Sequence, residues 1–343
     1  MSFQITLKPS DHTFTARPDE TVLEAALRQG FTLPYGCRNG ACGTCKGKIL
    51  EGRVDYGAYE AALLTDAEKS AGLALFCCAK PLADMVLECR EIGAVRNIPI
   101  KTLPCRVQRI EKPAHDVVVL YLKLPANERL QFLAGQYVDI LLKDGRRRGF
   151  SIANAPHDDE FLQLHVREVP GGHFTHYIFH EMQDKAMLRF EGPLGTFFLR
   201  EDSDKPMILL AGGTGFAPIK AILEHAFHKG TTRPMTLYWG VRSLRDLYMP
   251  ELARKWQEQY GIFQFVPVLS EPLAEDNWQG RIGFVHRAVA DDFADLSGYQ
   301  VYACGPPAMI DAGRRVFVEK GLPAQELYSD AFTFSNDPKG SSH

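Results

Sequence analysis

A chain of 343 residues with a formal net charge of −3 exceeds one ordinary core, which predicts two or three domains of about 100–150 residues each. The near-neutral charge gives no long-range attraction for nucleic acid or an anionic membrane, and no stretch approaches the roughly 20 apolar residues of a membrane helix. Eight unevenly spread cysteines are unlike a secreted disulfide scaffold, and the opening MSFQITLKPSDHTF lacks a signal-peptide core, so the expectation is a cytoplasmic protein. In chain order, Phe3, Ile5 and Leu7 alternate as a strand and Phe14 lies in a second. Thr21-Val22-Leu23-Glu24 is a capping box that opens a helix ending at Gly30. A glycine-rich loop, YGCRNGACGTCKGKILEG, follows; Met85-Val86-Leu87 reads as a closing strand and Ile92 to Thr102 as a linker.

That loop places Cys37, Cys42 and Cys45 as C-x4-C-x2-C, with a further cysteine some thirty residues later. This is the plant-type ligand spacing of a [2Fe–2S] cluster. Gly36, Gly40 and Gly43 let the loop bend and bring backbone N–H groups to the sulfurs, which tunes the potential. A disulfide staple and zinc are the alternatives. Structural zinc more often draws on two separated C-x2-C pairs, and only one is present. From roughly Phe3 to Cys89 the segment resembles plant-type ferredoxins. In these the last ligand lies four residues before the proline that opens the closing strand, so counting back from Pro81 selects Cys77 over Cys78. Adjacent side chains on an extended backbone point to opposite faces, so Cys78 is expected to face away. Cys89 and Cys105 read as core or surface thiols.

From Leu103 to about Arg200 the pattern becomes short alternating strands, among them Val117 to Leu122, Tyr137 to Leu142 and Phe161 to Val166. A small antiparallel barrel is expected. Arg148-Gly149-Phe150-Ser151 ends one strand. Its chemistry suits a flavin: an arginine fork to clamp pyrophosphate, an aromatic ring beside the isoalloxazine, and a hydroxyl near N5. Alone, such a tetrapeptide is ordinary at a strand end. Gly171-Gly172-His173-Phe174-Thr175 then opens a helix with apolar Ile178 and Phe179, where free N–H groups and the helix dipole can meet phosphate. His173, His176 and His180 fall at helical spacing. With no carboxylate or second motif beside them, exposed helix polarity is the plainer reading than a metal site. Together these segments resemble the ferredoxin–NADP reductase superfamily, with its R-x-[YF]-[ST] signature and its G-G-x-x-[ST] flavin-pyrophosphate segment. Val166-Arg167 resembles the strand that lines the adenosine of FAD.

From Pro206 onward apolar runs alternate with helices ending near His228, Tyr260 and Lys320, the rhythm of a parallel α/β sheet. Ala211-Gly212-Gly213-Thr214-Gly215-Phe216-Ala217-Pro218 joins a strand to a helix. It departs from G-x-G-x-x-G, but glycines and a helix N-terminus still offer a pyrophosphate site; a plain tight turn is the alternative. Cys304-Gly305-Pro306 ends another apolar strand, where open α/β sheets place ligands; the bland reading of Cys304 is a buried strand thiol. The G-G-T-G-x-A-P and C-G-P motifs resemble the NAD(P) lobe of the same superfamily, whose cysteine lies by the nicotinamide. Its terminal acidic-x-aromatic segment corresponds to Asp330-Ala331-Phe332, with Phe334 a rival for the flavin-covering ring.

Over nearly its whole length the chain resembles single-chain reductases with ferredoxin, FAD and NAD lobes: reductase components of bacterial oxygenases and hydroxylases, and the CDP-6-deoxy-3,4-glucoseen reductases. The resemblance implies a β-grasp ferredoxin domain over 1–95, an antiparallel FAD barrel over 101–202 and a parallel α/β nucleotide domain over 205–335. It implies cluster ligands Cys37, Cys42, Cys45 and Cys77. Arg148, Phe150, Ser151, Val166, Gly172, His173, Phe174 and Thr175 would serve FAD, and Gly212, Gly213, Thr214, Gly215, Gly305 and Pro306 the nucleotide. Ser151 and Cys304 would bracket the hydride path, supported by Asp330 and covered by Phe332. The expected function is electron transfer from NADH through FAD and the cluster to a partner oxygenase or hydroxylase. A deoxysugar dehydrase as acceptor and a redox-responsive binding subunit are the alternatives. Arg242 and Arg245, which could meet a 2′-phosphate, leave NADPH open.

Overall fold

The computed structural model describes residues 2–333 and divides between Pro99 and Ile100 into two compact units. The amino-terminal unit runs β1 (Phe3–Lys8), β2 (Thr13–Ala16), α1 (Val22–Arg28), β3 (Lys46–Glu51), β4 (Val54–Asp55), α2 (Asp66–Ser70), β5 (Leu73–Leu75), β6 (Lys80–Pro81) and β7 (Met85–Glu88). Five of the strands form a mixed sheet in the order β2-β1-β7-β3-β5, with β1 and β7 parallel at its centre. The alternation read in β1 buries Ile5 and Leu7 completely. In the capping box Glu24 N–H donates to Thr21 Oγ1 at 3.2 Å and Thr21 N–H to Glu24 Oε2 at 2.8 Å. These bonds satisfy two orphan donors and let α1 lay Val22, Leu23, Ala25 and Ala26 on the sheet.

The second unit begins with β8 (Lys101–Ala114), β9 (Val117–Lys123), β10 (Tyr137–Leu141), β11 (Arg147–Ser151), β12 (Leu162–Arg167), α3 (His173–His180) and β13 (Met187–Leu194). The strands pair antiparallel in the order β11-β10-β13-β8-β9-β12, and an Ile152–Leu164 bridge links the two edges. This closes the sheet round a core that includes Val118, Leu120, Val138, Ile140, Leu164 and Phe190. Closure removes the edges that would otherwise template aggregation.

The chain continues through β14 (Met207–Gly212), α4 (Phe216–His228), β15 (Met235–Val241), α5 (Pro250–Gln259), β16 (Phe263–Leu269), β17 (Arg281–Ile282), α6 (Val285–Asp292), β18 (Gln300–Gly305), α7 (Pro307–Glu319) and β19 (Leu327–Ala331). All six strands are parallel, ordered β17-β16-β15-β14-β18-β19. The strand order reverses beside β14, so the ends of β14 and β18 flank the crevice where such sheets bind ligands. β14 is buried at every residue, as expected of a central strand covered on both faces. Val117, Ala134 and Phe197 of the barrel share one apolar cluster with Phe216, Trp239 and Cys304. That common core is why barrel and parallel sheet form a single unit.

Candidate functional site

In the amino-terminal unit the cysteine loop and the turn after β5 bring thiols together. Cys45 Sγ lies 3.1 Å from Cys77 Sγ, and both are buried. Ala41 N–H donates to Cys37 Sγ at 3.3 Å and Cys37 N–H to Cys42 Sγ at 3.4 Å. The loop therefore aims main-chain donors at sulfur. Gly40 makes this possible: it sits at φ +75°, and a Cβ there would come within 2.8 Å of Cys78 Sγ and 2.9 Å of Ala58 O. The thiols cannot all ionise side by side. A hydrogen bond from Cys37 lowers Cys42, while the same pairing and burial push Cys37 up. Cys77, paired with Cys45, is pushed up to about 12. Closely set thiols with main-chain N–H donors aimed at sulfur fit the chemistry of ferric iron.

One expectation fails here. Residues 76–78 form a turn, not an extended strand, with Cys78 N–H and Ala79 N–H both donating to Leu75 O at 2.9 Å. The opposite-faces rule therefore does not apply, and Cys78 Sγ lies 3.6 Å from Cys77 Sγ on the same side.

In the barrel, β11 carries Arg148, Phe150 and Ser151. Phe150 packs against Phe174 with ring centroids 6.0 Å apart, which joins the strand motif to the helix motif. Gly172 is the N-cap of α3 and makes no side-chain capping bond, so the first-turn N–H groups have no side-chain partner there. His173 begins this helix. Thr175 shapes the turn before the helix: Val169 N–H donates to its hydroxyl at 3.1 Å, and the hydroxyl donates to Gly172 O at 3.1 Å. Val166 is fully buried in the barrel core, so only its main chain can line a cofactor.

At the sheet end, Gly212 closes β14 and Gly213, Thr214 and Gly215 form a 3-10 turn into α4. Trp239 Nε1–H donates to Gly213 O at 2.9 Å. Arg167 reaches the same point, since a Cβ on Gly213 would lie 2.6 Å from Arg167 Nη1. Arg167 Nε faces Asp116 Oδ2 at 3.1 Å, while its buried Nη2 has no hydrogen-bond partner among the described residues. An orphan guanidinium donor beside a glycine loop fits a phosphate. On β18, Cys304 is wholly buried, and burial with the neighbouring Asp330 charge pushes its thiol far above the ordinary range. That direction favours the protonated thiol, so Cys304 is read as a packing and positioning group. Asp330 pairs in register with Cys304, and Phe332 N–H donates to Gly305 O at 2.9 Å. Pro306 caps α7. Phe334 lies outside the described residues.

The joint between barrel and parallel sheet went unread in the sequence. Lys220 of α4 is buried; its Nζ donates to Ala153 O at 3.1 Å and to Glu224 Oε2 at 2.8 Å. Ala153 lies two residues beyond Ser151, so the nucleotide-side helix holds the end of the flavin motif. His165 Nδ1 meets Tyr248 OH at 2.9 Å. Burial, helped by Lys220, pushes His165 down to about 3 and keeps it neutral. The one available signal was a lysine within the apolar run APIKAIL.

Lys220→Met is expected to cost about 2 kcal/mol, because half-buried Glu224 and the Ala153 carbonyl both lose their partner. Burial already raises the Glu224 carboxyl above its ordinary 4.5, and losing Lys220 raises it further. A raised acid pKa disfavours the folded state above that pKa and is relieved as protons bind. The deficit should therefore shrink as pH falls towards 4.5, which thermal melts across pH would show. A pH-independent deficit would count against the pairing.

Three family models match in series: a 2Fe-2S iron-sulfur cluster binding domain over residues 5–82, an oxidoreductase FAD-binding domain over 104–199, and an oxidoreductase NAD-binding domain over 209–315. A CDP-6-deoxy-L-threo-D-glycero-4-hexulose-3-dehydrase reductase of Yersinia pseudotuberculosis is 41% identical over 332 residues, covering 97% of this chain and 99% of that protein. The chain belongs to the single-chain iron–sulfur flavoprotein reductases of the ferredoxin–NADP reductase superfamily. The phenol hydroxylase P5 protein of Acinetobacter pittii is 34% identical over 98% of this chain and 96% of its own length. Among solved structures, the Amycolatopsis cytochrome P450 reductase GcoB aligns with TM-score 0.79 and 35% identity, covering 96% of this chain and 98% of that one. This reductase accordingly uses a [2Fe–2S] cluster, FAD and NAD(H), and it passes electrons from the nicotinamide to a partner enzyme. Its plant-type ferredoxin domain, antiparallel barrel and parallel sheet match the fold expected from the sequence. No described helix is long and apolar enough to cross a membrane.

Proposed function

We propose that Cys37, Cys42, Cys45 and Cys77 hold the cluster, that β11 and the N-terminus of α3 hold FAD, and that the β14 and β18 ends hold the nicotinamide nucleotide. The observation carrying this is the meeting of motifs at the joint: Lys220, on the helix opened by Gly213–Gly215, bonds Ala153 just past Ser151. Bound FAD couples a two-electron hydride donor to a one-electron cluster. The chain's own residues supply placement. The neutral Cys304 thiol and Ser151 bracket the hydride path, Asp330 holds the β18–β19 end, and Phe332 covers the flavin. Arg148 and the α3 N–H groups neutralise flavin phosphate, and Arg167 meets phosphate at Gly213.

The acceptor is a terminal oxygenase or hydroxylase component. A deoxysugar dehydrase is the second reading, favoured by 41% identity to the Yersinia dehydrase reductase against 34% to the phenol hydroxylase protein. In residues 1–95 acidic and basic side chains nearly cancel, so docking rests on shape and local contacts more than on steering. Purified holoprotein should oxidise NADH steadily with a one-electron dye; failure to turn over would leave only a redox-responsive binding role. Cys304→Ala should slow flavin reduction by about tenfold or more, since near-attack placement sets that step, while dye reduction by prereduced protein stays unchanged. Wild-type flavin reduction in this variant would remove Cys304 from the path. Supplying each acceptor class with its substrate then decides between oxygenase and dehydrase.

A further inference from the structure

Among the described residues, three clusters that contain histidine lie outside the machinery above. His115, Asp116 and Asp246 bring ligand atoms within 4.8 Å of one another, but the Arg167 guanidinium stands 3.1 Å from Asp116 and opposes a second cation. His157 stacks on His228 with centroids 3.7 Å apart and stands 6.5 Å from His225; burial and the neighbouring imidazoles lower its pKa, and Glu201 engages His225 Nε2 at 3.0 Å on its own, so the group does not converge on one point. The third cluster is Glu168, His176 and His180, which lack any opposing arginine in the contacts they make.

The geometry points to a divalent transition-metal site formed by Glu168, His176 and His180. His176 and His180 are four apart on α3 and therefore share one helix face, the spacing by which helices present paired imidazoles to zinc. Their rings lie 4.4 Å apart. Glu168 follows the end of β12 and supplies the carboxylate absent from the sequence motif: its Oε1 is 2.7 Å from His180 Nε2. One ligand atom from each residue lies within 4.8 Å of the other two. A tetrahedral ion with bonds of about 2.0–2.1 Å spaces its ligands about 3.4 Å apart, a closure that side-chain rotation on a half-exposed surface supplies. Two imidazoles and one carboxylate suit Zn²⁺ better than Mg²⁺ or Ca²⁺, which prefer oxygen, and a three-residue set leaves a fourth position for water.

The consequence is mechanical. The ion would tie the end of β12 to α3 across the Gly171–Gly172 turn, the same turn whose helix N-terminus is assigned to flavin phosphate. This effect on FAD rests on that assignment; the metal site itself does not. The sequence hid the site because Glu168 belongs to a strand end and the histidines to a helix, and only the turn between them brings the three together.

The test uses EDTA-washed holoprotein, with FAD and cluster in place, titrated with Zn²⁺ by calorimetry in a non-chelating buffer. One equivalent should bind, and His180→Gln and Glu168→Gln should each weaken it by at least about tenfold, while His157→Gln leaves it unchanged. Absence of saturable binding, parent-level affinity in either site variant, or loss in His157→Gln would overturn the proposal. A second readout is FAD release by fluorescence: Zn²⁺ should slow it in the parent protein and not in His180→Gln. Intact zinc binding with unaltered FAD release would retain the metal site and overturn the assignment of α3 as the flavin-phosphate helix.

Discussion

Cys77→Ser is expected to lose most of its iron and the paramagnetic signal of the reduced cluster, whereas Cys78→Ser keeps both. Cys77 Sγ is the atom placed 3.1 Å from Cys45 Sγ, and Gly40 presents its main chain to the same sulfur. Serine preserves size but offers a hard oxygen to a centre normally held by thiolates. Because the two cysteines share a turn and their sulfurs are 3.6 Å apart, Cys78 is a nearby substitute in a way that an extended strand would forbid. Any residual cluster in Cys77→Ser should therefore vanish in the Cys77→Ser/Cys78→Ser double variant. FAD content, held by the other unit, should stay at wild-type level in all three. Iron lost from Cys78→Ser alone would move the ligand assignment by one residue.

The C-x4-C-x2-C spacing is legible because ligand spacing is a local property of the chain, and the ferredoxin resemblance, counted back from Pro81, names Cys77 as the fourth ligand that these variants test. The direction of Cys78 follows from a local curl that the spacing does not encode: Leu75 O accepts two N–H groups and bends residues 76–78 into a turn. Helices announced themselves through caps and periodicity, and α4, α5 and α7 end within a residue of where the pattern placed them.

What stayed hidden was everything made by distant segments meeting. Lys220 and Ala153 are separated by 67 residues and His165 and Tyr248 by 83, and no periodicity encodes such pairs. Thr175 sat in a phosphate-binding motif yet directs its hydroxyl into its own turn. Alternation along β12 turns the Val166 side chain into the barrel and leaves Gln163, His165 and Arg167 facing Lys220, Tyr248 and the Gly213 loop.

Gly215→Ala should be among the most damaging single substitutions in the second unit. Within the glycine motif, Gly215 makes its close approach to the protein itself. A Cβ on Gly215 would fall 2.0 Å from Cys304 O, 2.5 Å from Cys304 C and 3.0 Å from Gly305 N. All three are main-chain atoms, so no rotamer change relieves the clash, and α4 must move off the end of β18 by more than an ångström. Overpacking a core by a methylene costs about 1–3 kcal/mol where side chains can adjust; a rigid backbone contact should exceed about 3 kcal/mol. For a unit of this size that lowers Tm by roughly 6–12 °C. The displaced atoms are those of Cys304 and Gly305, so nucleotide affinity and flavin reduction should fall together, beyond what lost stability explains. Gly298 provides the control: it has no heavy atom within 4 Å of its Cβ position and no left-handed φ, and Gly298→Ala should leave Tm and turnover unchanged. If Gly215→Ala matches Gly298→Ala in melting and in nucleotide binding, the packing of α4 against the β18 end is not what fixes the position of Cys304.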